Sequence, residues 1–214
     1  MPADLLQPPG GWAEPSQPRL TPQTVAQRGV LFRTVGRVSR LFGRPELPNV
    51  FPLLHHNPRL FWGWLFFASR LMPWGKLPAP ARELMILRIA WLCRCRYEWG
   101  QHVELAERAG VSDRELVAVT RGPDAFDDPT LRPLIQACDD LYHRDCLSDD
   151  TWRALKKQHS DSLMLEIMML AGHYRMLAGV LLSAGLMLEP RMEENLQQFH
   201  ARVAHLVQQP EQSL

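Results

Sequence analysis

One-sided charge is missing from this sequence: 24 basic side chains stand against 23 acidic ones, a formal net charge of +1. No overall field recruits nucleic acid or an anionic membrane, and neither is expected as a partner. Cysteine is sparse. Cys93, Cys95, Cys138 and Cys146 are the full set, and no apolar signal segment follows Met1. A disulfide scaffold for secretion is therefore not implied, and the cytoplasm is the simplest address. Long hydrophobic runs are lacking too: the most apolar stretch, LFWGWLFFASRLM from Leu60 to Met72, is too short to cross a bilayer and carries Arg70. It reads as a buried helix. Strand-like alternation, a repeat of solenoid length, an HExxH motif and any i, i+4 histidine pair are all absent, so neither a β architecture nor a metal centre is expected. No cofactor is implied.

What is present is the balance of an ordinary soluble domain, 46% hydrophobic and 22% charged over 214 residues, enough to bury a proper core. Residues 1–34 are rich in Pro, Gly and Gln and read as a mobile arm, because such a composition buries too little surface to offset its ordering entropy. With Leu5, Leu6 and Trp12 the arm has the means to wrap a neighbouring subunit. Residues 35–192 read as a helical domain and 193–214 as a C-terminal helix and tail. TVGRVSRLFG ends in a C-cap glycine, and NPRLFWGWLFFASRLM opens on Asn57 as a cap with Pro58 at the first turn. Further helices are expected over LPAPARELMILRIAWLC, YEWGQHVELAERAG, SDRELVAVTRG, DPTLRPLIQACDDLYHRD, SDDTWRALKKQH and DSLMLEIMMLAGHYRMLAGVLLSAGL. The fold class is all-α, with about seven to nine helices.

The chemistry concentrates in CRYEWGQH, from Cys95 to His102. If residues 91–106 form one helix, Trp91, Cys95, Glu98, His102 and Ala106 share a stripe. A bland reading makes Glu98 and His102 an exposed ion pair worth a few tenths of a kcal/mol, with Cys95 a small buried hydrophobe. The flanking Tyr97 and Trp99, and the apolar LMILRIAWLC before them, argue instead for burial at the core, where desolvation shifts pKa values in ways that suit acid and base catalysis.

The stretch ARELMILRIAWLCRCRYEWGQHVELAERAGVS resembles the carboxymuconolactone decarboxylase family, which includes alkylhydroperoxidase D. The peroxidase branch carries Glu, eleven residues, Cys, two residues, Cys, three residues, His. Glu83, Cys95 and His102 match this register, and Glu98 stands where the second cysteine would be. The likeness extends over roughly residues 45–190, and YEW followed by His is typical of one branch. It implies an alkylhydroperoxidase D-like helical bundle and a homo-oligomer, dimer, trimer or hexamer, in which neighbouring chains complete the pockets. By that resemblance Glu83, Cys95, Glu98 and His102 are the catalytic set, with Trp91, Tyr97, Trp99, His173 and Tyr174 around the pocket. Glu83 would lie roughly 18 Å from Cys95 on an unbroken helix, so the chain must turn near CRCR, although no Gly or Pro marks the turn.

In the peroxidase branch the cysteine nearer the histidine attacks peroxide, and glutamate cannot. A Cys93–Cys95 pair on a helix would point its thiols apart, and Cys138 and Cys146 read as buried apolar filler. The expected function is acid/base chemistry, decarboxylation or isomerisation, on a small organic acid or lactone. His102 is the general acid or base, Glu98 orients it, and Glu83 adds a second carboxylate. The alternatives are a thiol peroxidase using Cys95 with an external reductant, and a member that binds a ligand without catalysis. LAERAGVSDREL looks like a helix-turn-helix, but the segment after it is acidic and apolar, unsuited to phosphates. The Met-rich faces of MLEIMML and RMLAGVLLSAGLML suit core or a subunit interface.

Overall fold

Helix boundaries follow the caps written into the chain. The computed structural model describes residues 4–13, 15, 17–28, 32 and 47–207. Among them are nine α-helices: α1 (Val50–Leu54), α2 (Pro58–Leu71), α3 (Ala79–Leu92), α4 (Arg96–Arg108), α5 (Asp113–Arg121), α6 (Arg132–Arg144), α7 (Asp149–Lys156), α8 (Asp161–Ala184) and α9 (Pro190–Val207). There is no strand among the described residues, so the fold is all-helical. The helix expected over TVGRVSRLFG lies outside them. Asn57 accepts the Leu60 N–H at 3.2 Å and Pro58 occupies the first turn of α2. Ser112 and Glu115 form a reciprocal capping box at α5, and Ser148 and Ser160 cap α7 and α8. Gly185 closes α8 at φ 68°, a left-handed conformation that glycine adopts without strain.

α3 is the centre of the molecule because its sequence has no polar face. Every residue from Ala81 to Trp91 is buried, against α4 on one side and α6 and α8 on others. Its one deeply placed cation off the candidate site, Arg88, is fully engaged: the guanidinium grips Asp139 at 2.6 and 2.8 Å and donates to the carbonyls of Val119 and Thr120. Such pairing is what makes a buried charge tolerable. α9 belongs to the same core, burying Met192, Leu196, Phe199 and Val203. α8 is long and apolar enough to cross a membrane by length and composition, and half of that window is buried inside the domain.

Against the expectation of a mobile arm, the described N-terminal residues lie on the helices. Leu6 is buried, and Asp4 pairs with Arg96 at 2.6 Å. Further along, the N–H groups of Arg19 and Leu20 bond the carbonyl of Ala184, and Gln23 reaches His55. The physical reason is that the arm's few large side chains and its backbone find partners on the domain, a gain that composition alone does not register.

Candidate active site

α4 folds back along α3 through Cys93, Arg94 and Cys95. Cys93 closes α3, Arg94 takes φ 58°, and Cys95 is extended at the N-cap of α4. A long side chain at positive φ persists only where its surroundings hold it. Here the Arg94 N–H bonds the Trp91 carbonyl at 3.0 Å and its own carbonyl accepts from Ala13 at 2.9 Å. Its guanidinium donates to the carbonyls of Gly10 and Gly11, each at 2.5 Å. This is the required reversal near CRCR. It also corrects the single helix considered over 91–106: Trp91 belongs to α3, while Cys95, Glu98 and His102 share a face at the start of α4.

The reversal brings Glu83 to His102. Nδ1 of His102 lies 2.7 Å from Oε2 of Glu83, with both side chains buried. Arg82 donates to the other oxygen through Nε and Nη2 at 3.3 and 3.1 Å. Burial alone would raise Glu83, but the charges and hydrogen bonds of His102 and Arg82 outweigh it and hold the carboxyl below its ordinary value. Glu83 is therefore the anionic partner of the imidazole, and the expectation that Glu98 plays that part is corrected. The helical spacing of Glu98 and His102 suggested the pair; tertiary packing supplied a carboxylate from the preceding helix instead.

Glu98 has a different character. It sits in the first turn of α4 with both carboxyl oxygens buried and no hydrogen-bond partner among the described residues. Burial pushes its pKa well above the ordinary value and outweighs the neighbouring Cys95 thiol, which acts in the lowering direction. The result is a neutral acid one helical turn ahead of His102 on the same helix. Cys95 is itself 1% exposed. Burial and then the Glu98 carboxyl push its thiol well up, against the pull of the Glu98 and Tyr97 amides at the start of α4. Burial and Glu98 likewise push Cys93 up to about 12.

The aromatic wall is partly the expected one. Tyr174 on α8 stands edge-on to His102 at 5.1 Å, and His173 is edge-on to Tyr174 at 5.2 Å. Trp91 and Trp99 instead pack on each other and on Trp12 of the N-terminal segment, with ring centroids 5.2 to 6.0 Å apart. The Tyr97 hydroxyl accepts from the Val50 N–H and donates to Glu189, both at 3.1 Å. The helical ground for dismissing a Cys93–Cys95 pair falls away, since the two flank a turn, but both thiols are free. Cys138 is core filler as expected; Cys146 is exposed. Among the described residues no three His, Cys, Asp or Glu side chains gather as a metal group. Sequence reading passed over Arg82, whose adjacency to Glu83 is its only signal, and Trp64 and Phe67 of α2, whose i, i+3 spacing places them together against His173.

Fold and site together define a class: an all-helical protein whose helical hairpin carries a Glu–His pair and an N-cap cysteine. Residues 58–133 match the model of the carboxymuconolactone decarboxylase family. No curated protein sequence matches the chain. Solved structures share its fold at low identity. An uncharacterized peroxidase-related protein from Silicibacter sp. TM1040 superposes with a TM-score of 0.71 at 12% identity, covering 88% of this chain and 97% of that one. The alkylhydroperoxidase AhpD core of an uncharacterized peroxidase-related protein from Ralstonia eutropha JMP134 gives 0.73 at 16%, covering 82% and 94%. The debrominase Bmp8, a cysteine-to-alanine variant in complex with 2,3,4-tribromopyrrole, gives 0.70 at 14%, covering 86% and 98%.

Proposed function

We propose that the protein catalyses proton-transfer chemistry, decarboxylation or isomerisation, on a small organic acid or lactone in the cytoplasm. The observation that carries this reading is the 2.7 Å contact between His102 Nδ1 and Glu83 Oε2 in a buried setting. It commits one imidazole nitrogen to an anchored carboxylate and leaves Nε2 to exchange a proton with a bound substrate. Glu98, held neutral by burial, is the complementary acid. In a decarboxylation the bond to the departing carboxylate breaks, its electron pair passes into the adjacent carbonyl as an enolate, and carbon dioxide leaves. The enolate carbon then takes a proton from Glu98 or from protonated His102. In an isomerisation the same pair removes a proton at one carbon and returns it at another. No metal or organic cofactor is needed.

Thiol peroxidase activity is the weaker reading, because Cys95 is buried and its thiol held protonated, the wrong state for attack on a peroxide. The test is NMR in deuterated water with a panel of β-keto acids and unsaturated lactones, including carboxymuconolactone, alongside hydroperoxide consumption with dithiothreitol. Deuterium incorporation or carbon dioxide release that is lost in His102→Asn and Glu98→Gln but kept in Cys95→Ser supports the proposal. Peroxide consumption lost in Cys95→Ser, with no exchange on any carbon acid, would overturn it.

A further inference from the structure

Cys95 has the position of a nucleophile and the access of a core residue. It stands at the N-cap of α4, yet it is 1% exposed, and burial above all holds its thiol protonated against the pull of the Glu98 and Tyr97 amides. One segment, residues 4–13, grips the chain on both sides of it. Ahead of Cys95, the Arg94 guanidinium donates to the Gly10 and Gly11 carbonyls, and the Arg94 carbonyl accepts from Ala13. After it, Arg96 holds Asp4 at 2.6 and 3.0 Å. Leu6 is buried in the same cluster as Cys95, Tyr97 and Trp99, and Trp12 packs on Trp91 and Trp99.

Three features mark the segment as a part that can leave. Residues 4–13 hold no helix or strand, and their shape rests on a turn closed by the Gly11 N–H on the Pro8 carbonyl at 2.8 Å, with Gly10 at φ 80° and Gly11 at φ 73°. A stretch with so little internal bonding belongs to the low-stability end of a structure. It is tethered behind as well: the N–H groups of Arg19 and Leu20 bond the Ala184 carbonyl, so residues 4–13 can swing away while the chain beyond them stays docked. What they uncover also supports itself. Arg96 keeps Glu193, at 2.5 and 2.7 Å, and α4 keeps its packing against α3.

We propose that residues 4–13 are a strap across the α3–α4 turn, and that its opening admits small electrophiles from solvent to Cys95. Closed, the strap seals that end of the site and silences the thiol. Open, it leaves a cysteine at a helix N-terminus facing water, the setting in which a thiol becomes a nucleophile. The inference stands apart from the proton-transfer reading, in which Cys95 takes no part.

The test is alkylation of the whole protein with iodoacetamide, the rate at each cysteine being read by tandem mass spectrometry. Cys138, buried in the other core cluster, reports global unfolding. In Gly10→Ala with Gly11→Ala the added Cβ atoms meet nothing closer than 3.5 Å, so the strain falls on the left-handed backbone of the strap itself. That double variant should raise the Cys95 rate roughly tenfold, and Asp4→Ala should raise it several-fold, with Cys138 unchanged in both. In wild type, alkylation in increasing urea should reach Cys95 below the unfolding transition and Cys138 only within it. A Cys95 rate unchanged in both variants, or rising only in step with Cys138, would overturn the strap. So would wild-type Cys95 and Cys138 reacting together across the urea series, a result that requires no variant to fold.

Discussion

Two carboxyl groups of one site are driven in opposite directions by their surroundings, and each direction has a measurable sign. Glu83 is held ionised by His102 and Arg82, whereas Glu98, with nothing charged to answer it, is held protonated. Glu98 binds its proton more tightly folded than unfolded. Its contribution to stability is therefore fully present below the ordinary value of 4.5 and is lost as pH rises through the higher folded value. Glu98→Gln cannot ionise, so its melting temperature should hold its place relative to wild type near pH 5 and gain on it steadily toward about pH 8. A constant difference across that range would contradict the assignment. The thiols give a second residue-scale test. Cys146 is exposed, while Cys95 and Cys138 are buried and burial raises both, as it raises the half-buried Cys93. Native protein at about pH 8 should therefore react with an aromatic disulfide reagent rapidly at Cys146 alone, the others following only on local or global opening.

At the scale of elements, what the sequence made legible was whatever local rules control. The caps at Asn57, Ser112, Ser148 and Ser160 announced their helices, and the apolar run from Leu84 to Leu92 announced the central one. The turn at Arg94 was legible only as a necessity, since Glu83 could not otherwise reach His102. Its chemical cause lies about 80 residues away in the carbonyls of Gly10 and Gly11, and no local pattern encodes that. The same limit explains the mistaken pairing of Glu98 with His102: i, i+4 spacing is visible in a sequence, whereas a carboxylate arriving from the preceding helix is not. Arg94→Ala should leave the helix signal of circular dichroism unchanged. By removing two charged hydrogen bonds it should speed proteolysis within residues 4–20 by roughly tenfold or more. Unaltered cleavage would mean that the arm is held by Asp4 and Trp12 without this turn.

At the scale of the molecule, α8 presents apolar side chains on both sides. Its inner face is core, and its outer face leaves Leu165, Met169, Met176 and Val180 exposed, with Leu60, Phe66 and Trp74 exposed on and just beyond α2. So much open apolar surface suits association of identical chains. Light scattering coupled to size exclusion should report an oligomer, and Leu165→Glu with Met176→Glu should reduce it to a monomer that keeps its helical content. A wild-type monomer would refute this. The N-terminal segment has its own consequence, for the order in which the chain assembles. The segment must close loops of 83 and 92 residues to reach Arg94 and Arg96, as α9 must close one of 97 residues to set Glu193 on Arg96, and such distant closures come slowly. During refolding the indole of Trp12 should therefore arrive at Trp91 and Trp99 after the backbone helices have formed. That would be seen as a late fluorescence phase that Trp12→Phe abolishes, while the earlier far-ultraviolet phase keeps its rate.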